Sequence, residues 1–169
     1  MLTYAIVLLV VAAVLYGSFR ALGGGAEPVP ADDYRQLLQR IAQYTSERVV
    51  ELDAALSRPR PAPSPTSRPD ADPLVEVGAE VRKQLTGYRQ QLARIEVSAA
   101  GDELEVLGSA RALLTAAIED QSWACRLLEG GSYRENPGIQ DAVAALRDHS
   151  ARCMEAAASV LAGGVTAPA

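Results

Sequence analysis

The side chains able to carry metal or nucleophilic chemistry are scarce in this chain: one histidine, His149, and two cysteines, Cys125 and Cys153. His149 precedes Cys153 by four residues, a spacing that puts both on one face of a helix. Cys125 falls in the preceding helical segment, so a His/Cys/Cys metal set is the first arrangement to test. The turn around Gly130–Asn136 sets the register of the two segments as an antiparallel pair. In that register Cys153 faces about position 114, and Cys125 faces about position 142. The two thiols are then some eleven residues apart, roughly 16 Å at the helical rise. Zinc–sulfur bonds of about 2.3 Å do not bridge such a gap. A disulfide fails for the same reason, because its Cα atoms must come within about 7 Å. The two cysteines therefore read as separately buried thiols acting as small hydrophobes.

Other chemistries fare no better. A di-iron bundle needs Glu-x-x-His on each of two helices, and the single histidine cannot supply both. His149 could act as a base for Cys153, but no neighbour in sequence orients the ring, as a nucleophile–base pair requires. Gly23-Gly24-Gly25 and Gly130-Gly131 are not followed by the Gly-Lys-Ser/Thr of a phosphate loop. Trp123, close to a helix end and near Tyr133, reads as a core or interface cap in preference to the floor of a ligand pocket. The expectation is a protein that is no enzyme and has neither cofactor nor metal.

The elements that would position these residues are amphipathic helices. Asp32 or Asp33 caps the first, which runs to about Ser57. Leu38, Ala42, Thr45, Val49, Leu52 and Leu56 repeat along it at alternating spacings of four and three, a stripe of the coiled-coil type widened by Tyr34, Leu37 and Ile41. Leu38, Ile41, Thr45, Val49, Leu52 and Leu56 form the candidate interaction face, able to meet a partner protein or a second copy.

Asp72 caps the second helix and Pro73 fills its first turn. Leu74, Gly78, Val81, Leu85, Tyr88, Leu92 and Ile95 give it the most regular stripe in the chain. After a break at Ser98–Gly101, Asp102 and Glu105 make a capping-box-like start to the third helix. Its stripe is Leu107, Ala110, Leu114, Ala117, Gln121, Ala124 and Leu128, stopped by Gly130-Gly131. Asn136 and Pro137 open the fourth helix, with Ile139, Val143, Leu146, Ser150, Cys153, Ala157 and Val160 on one face until Gly163-Gly164. Short turns make the last three antiparallel neighbours.

Between the first and second helices, residues 58–73 hold six of the ten prolines. That segment excludes helix and favours extended polyproline II. Sixteen residues at ~3.1 Å each reach about 50 Å, farther than the ~37 Å of a 25-residue helix. The first helix is therefore free to pack either way up, and the segment itself reads as a solvated spacer.

Residues 1–19 carry no charged side chain. A run of that length spans a bilayer as a helix. Leu2, Ile6, Leu9 and Val14 would face the hydrocarbon, and Tyr4, Tyr16 and Phe19 suit the interfacial belts. The run lacks the basic n-region of a signal peptide and exceeds its usual apolar core. A retained anchor over residues 1–22 is the expectation. An exported helical ligand-binding or envelope protein, with the N-terminal segment as signal peptide or anchor, is the alternative. Arg20, with Arg35 and Arg40 beyond it, puts the larger C-terminal part in the cytoplasm by the positive-inside rule. Residues 23–31 form a Gly/Pro hinge, and residues 164–169 a disordered tail.

Composition agrees with helices: Ala and Leu dominate, and only 5% of the chain is aromatic. Lys83 is the only lysine among sixteen basic residues, a bias typical of GC-rich, bacterial genomes. The net charge of −5 disfavours nucleic acid, whose binding rests on many cation–phosphate contacts. The expected architecture is all-α: one N-terminal transmembrane helix, then a three- or four-helix up-down bundle with a Pro-rich linker. The expected work is that of a membrane-tethered adaptor or accessory subunit. It would bind membrane lipid through its anchor and a protein partner, or itself, through its bundle.

Overall fold

Four helices account for nearly all of the described residues. In this computed structural model, residues 28–59 and 72–163 are described. The helices are α1 (Ala31–Leu56), α2 (Pro73–Arg94), α3 (Asp102–Glu129) and α4 (Pro137–Gly163). Two short strands, β1 (Val29–Pro30) and β2 (Val97–Ser98), pair in parallel.

Asp72 caps α2 as its sequence suggests, its side chain accepting from the Leu74 amide at 3.1 Å with Pro73 next in line. At the start of α4, Asn136 Oδ1 accepts from Gly138 and Ile139 at 3.0 and 3.3 Å. Two expected caps are not made. Pro30 precedes α1, so Asp32 and Asp33 lie inside its first turn, where they complement the helix dipole. Gly101, at φ 58°, precedes α3 and offers no side chain, so Asp102 and Glu105 form no capping box. Gly131, at φ 72°, takes the left-handed conformation that ends α3, its amide donating to the Leu128 carbonyl at 3.0 Å.

The bundle runs up-down-up-down. Arg35, near the start of α1, reaches both Glu103 at the start of α3 and the Leu161 carbonyl at the end of α4. The β1–β2 pairing brings the entry to α1 beside the α2–α3 connection. Thus α1 lies parallel to α3 and antiparallel to α2 and α4. Val29 and Pro30, placed in the hinge by the sequence, are tied here to Val97 and Ser98.

At the other end of the bundle, the two described flanks of the Pro-rich segment meet one arginine. Arg134, in the α3–α4 turn, donates from Nε to Asp72 Oδ2 at 2.8 Å and from Nη2 to the Arg58 carbonyl at 2.9 Å. One guanidinium therefore holds both ends of the segment at the same end of the bundle. The choice of which way up α1 packs is settled as antiparallel to α2.

The predicted stripes supply the core. Leu38, Ile41 and Leu52 from α1 join Leu74, Val81, Leu85 and Leu92 from α2, Leu107, Leu114 and Leu128 from α3, and Val143 and Ala157 from α4. Helix α3 is buried beyond its stripe, at Ile118 and Cys125, because it packs against all three other helices. The Ser150 hydroxyl donates to the Ala117 carbonyl at 3.0 Å, which is the α3–α4 register expected from the turn. Gly78 lets α2 approach α3 closely: a Cβ there would lie 3.3 Å from the Cys125 carbonyl oxygen and 3.4 Å from Leu128 Cβ.

The candidate interaction face on α1 is largely covered in this packing. Leu38, Ile41, Thr45 and Leu52 are buried, and Val49 and Leu56 are half-buried. An apolar stripe is stabilised by whatever covers it, and here the other three helices do so. Among the described residues no helix is long and apolar enough to cross a membrane. The proposed anchor with Leu2, Tyr4, Ile6, Leu9, Val14, Tyr16, Phe19 and Arg20, the rest of the Pro-rich segment and the tail lie outside the described residues.

Candidate functional site

Two places on α3 gather polar chemistry, one on the side facing α2 and one on the side facing α4. The first is a cleft of about 220 Å³ lined by Arg82, Thr86 and Arg89 of α2 with Glu119, Ser122, Trp123 and Arg126 of α3. Arg82 and Arg89 are seven residues apart and so share a face of α2. Trp123 and Arg126 are neighbours on α3, and the Arg126 guanidinium lies 4.9 Å from the Trp123 ring centre. That separation is within the range of a cation–π contact.

The charges in the cleft are partly matched. Arg82 grips Glu129 through Nε and Nη2, a two-pronged contact that raises the Arg82 pKa through hydrogen bonding and charge. Arg89 reaches Glu119 at 3.5 Å, with both side chains about half exposed, a loose surface pair of little energetic consequence. Thr86 and Ser122 return their hydroxyls to backbone carbonyls of their own helices. Trp123 itself is 55% exposed. Of the core or interface cap that its sequence position suggests, this exposure leaves only the interface reading. Its indole lines the cleft together with the three arginines.

On the side of α3 facing α4, Asp120 meets His149 and Cys153 of α4. Asp120 Oδ2 lies 2.5 Å from His149 Nδ1. The sulfur of Cys153 lies 4.0 Å from Nδ1 and 3.9 Å from Nε2 of the same ring. A carboxylate only accepts, so Nδ1 carries the proton in this contact. His149 is more than half exposed, Asp120 mostly buried and Cys153 buried.

The third group that sequence neighbours did not offer His149 therefore comes from α3. Even so, the three do not form a working nucleophile–base pair. A sulfur on the lone-pair axis of one ring nitrogen would be much farther from the other. The near-equal distances keep the thiol off the lone-pair axis of either nitrogen, so proton transfer has no aligned path in this arrangement. Burial of the sulfur further limits access to a substrate.

Cys125 is elsewhere. It is fully buried in the core, and both cysteines are free. Burial, with Glu129 nearby, pushes its thiol up to about 12, against the opposing charge of Arg82. It is thus an inert core thiol.

Both sites were partly legible beforehand. The register that separates the cysteines also places His149 opposite about position 118, within a turn of Asp120. The signal was present, but it concerned an acidic residue and not a third His or Cys. The cleft was signalled by Arg82 and Arg89 at a two-turn spacing and by Arg126 one turn after Trp123. No family model, curated protein or solved structure matches the chain.

Proposed function

We propose that this protein is a membrane-tethered helical adaptor that holds an acidic segment of a partner protein in the α2–α3 cleft. The observation that carries this reading is Trp123, more than half exposed beside Arg82, Arg89 and Arg126. Exposed Trp and Arg are the residue types that most often dominate binding at interfaces. An arginine fork suits carboxylates, and the indole adds apolar area with little entropy to lose. Glu119, the loosely held acid in the cleft, is the group an incoming carboxylate would displace from Arg89.

The tether is the apolar run at residues 1–22, with the bundle on the cytoplasmic side by the arginine bias after it. Anchoring raises the effective concentration of the cleft for partners in the same membrane layer. Residue 28 enters at the end of the bundle where α2 finishes. By the helical rise, Arg89 and Arg82 then stand roughly 8 and 18 Å above that end, within reach of a partner's juxtamembrane segment. Self-assembly through the α1 stripe is not part of this reading, because that stripe is spent on the core.

Trp123 is the only tryptophan of the chain, so its fluorescence reports on the cleft directly. Titration of the full chain in nanodiscs with an oligoglutamate peptide should give a saturating, salt-sensitive emission shift. Arg89→Glu and Arg126→Glu should each weaken it about tenfold or more. An unchanged response in both variants, or none in the wild type, would remove the cleft from the account. The tether is tested separately. The chain should stay in the membrane pellet after carbonate washing. A cysteine introduced into the Pro-rich segment should resist an impermeant maleimide in intact cells. Labelling there would favour the exported alternative.

A further inference from the structure

The geometry points to Asp120, His149 and Cys153 as a binding site for a borderline-soft divalent transition metal, zinc by preference, on the α3–α4 seam. This cluster shares no residue with the arginine cleft, which is lined from α2 and an adjacent face of α3. The three potential ligand atoms, one carboxylate oxygen, one ring nitrogen and one sulfur, all lie within 4.8 Å of one another. Zinc bonds of about 2.0–2.3 Å at tetrahedral angles require separations of about 3.3 Å between oxygen and nitrogen and about 3.5 Å between nitrogen and sulfur. The sulfur stands 4.0 Å from Nδ1, about half an ångström beyond that demand, and the ring must also turn so that the Nδ1 lone pair points at the shared ion. The Asp120–His149 contact of 2.5 Å must open by somewhat less than an ångström, and His149 has room to do so at 56% exposed.

The donor set also selects the metal. A thiolate and an imidazole favour zinc and its soft neighbours, whereas magnesium and calcium prefer oxygen alone. Three protein ligands leave a fourth position, and the exposure of His149 turns that position towards solvent. The site is therefore of the open type, able to hold water or a ligand from elsewhere.

The proton balance is simple. The metal ion takes the place of the proton between His149 Nδ1 and Asp120 Oδ2, and that proton passes by way of solvent to Nε2, so the ring stays neutral. The Cys153 thiol gives up its proton to solvent as sulfur becomes a thiolate ligand. The net result is release of one proton per ion bound. The backbone supports the arrangement independently of the metal. His149 and Cys153 are one turn apart on α4, and the Ser150 bond to Ala117 pins α4 against α3 between them.

Cobalt(II) is the probe, because a bound thiolate gives it a near-ultraviolet charge-transfer band. Titration of the reduced full chain should produce that band with one cobalt per chain, and zinc should erase it. Cys153→Ser should abolish the band, and Cys125→Ser should leave it intact. Asp120→Asn, in a side chain outside the apolar core, should raise the Kd at least about tenfold, and His149→Ala should do the same or more. Far-ultraviolet circular dichroism checks that each variant is folded. The proposal is overturned by the absence of a band in the wild type, by a band that survives Cys153→Ser, or by one that is lost in folded Cys125→Ser.

Discussion

Cys125 and Cys153 are the same residue type, on two adjacent helices, both largely hidden from water. Their surroundings nonetheless give them opposite chemistry. Cys125 lies where α3 meets the close approach of α2, with Gly78 against its carbonyl and Leu128 one turn away. Nothing there stabilises a thiolate enough to offset desolvation. Cys153 lies on the α3–α4 seam, where the sulfur rests against a half-exposed imidazole anchored by a carboxylate. The difference is one of depth: one thiol is an apolar filler, and the other is the inner member of a polar cluster that reaches solvent.

The largest consequence is in reactivity. With its pKa moved from 9.0 to about 12, Cys125 has a thiolate population about a thousandfold below that of an ordinary cysteine at neutral pH. Stopped-flow labelling of the native protein with a disulfide reagent should show Cys153 reacting first and Cys125 only after unfolding. Equal rates would erase the contrast. The same shift has a stability signature. The folded state holds the Cys125 proton more tightly than the unfolded chain, so its stabilising effect is complete below about pH 9. It declines as pH rises towards about 12. Denaturation midpoints of wild type and Cys125→Ala across that window should converge as pH rises.

The next test asks whether the core around Cys125 is shared by all four helices. Leu38→Ala, at a fully buried α1 position, should cost about 2–5 kcal/mol in urea denaturation. A loss below about 0.5 kcal/mol would mean that α1 stands apart from the bundle. Gly78→Val probes the α2 approach itself and should cost about 1–3 kcal/mol through overpacking against the Cys125 carbonyl. The smallest effect belongs to the other cysteine. Cys153→Ala, at the edge of the core, should cost less than about 1 kcal/mol while removing cobalt binding altogether. A larger loss of stability would make Cys153 a packing residue like Cys125.

Much of the bundle is readable from periodicity. Leu74, Val81, Leu85 and Leu92 repeat at helical spacing, and all are buried. The stops at Gly130–Gly131 and the start at Asn136 follow from residues with particular conformational preferences. The caps expected at Asp32 or Asp33 and at Asp102 are not made, because each helix starts at or before those residues. The backbone instead chose Pro30 and Gly101. The α1 stripe was legible as apolar but not as occupied. Leu38 and Leu52 would look the same whether they met another chain or their own bundle.

Sequence by itself determined which segments are helical, which face of each is apolar and how α3 and α4 are registered across a short turn. Those properties are local, since side-chain period and turn length act within a few residues. Tertiary structure decided that α1 completes the core, that Arg134 closes the Pro-rich segment at one end of the bundle, and that Asp120 joins His149 and Cys153. Each depends on residues far apart in the chain: 62 positions separate Asp72 from Arg134, and 29 separate Asp120 from His149. Pairings of that kind follow from how whole helices pack, and no pattern within a single segment encodes them.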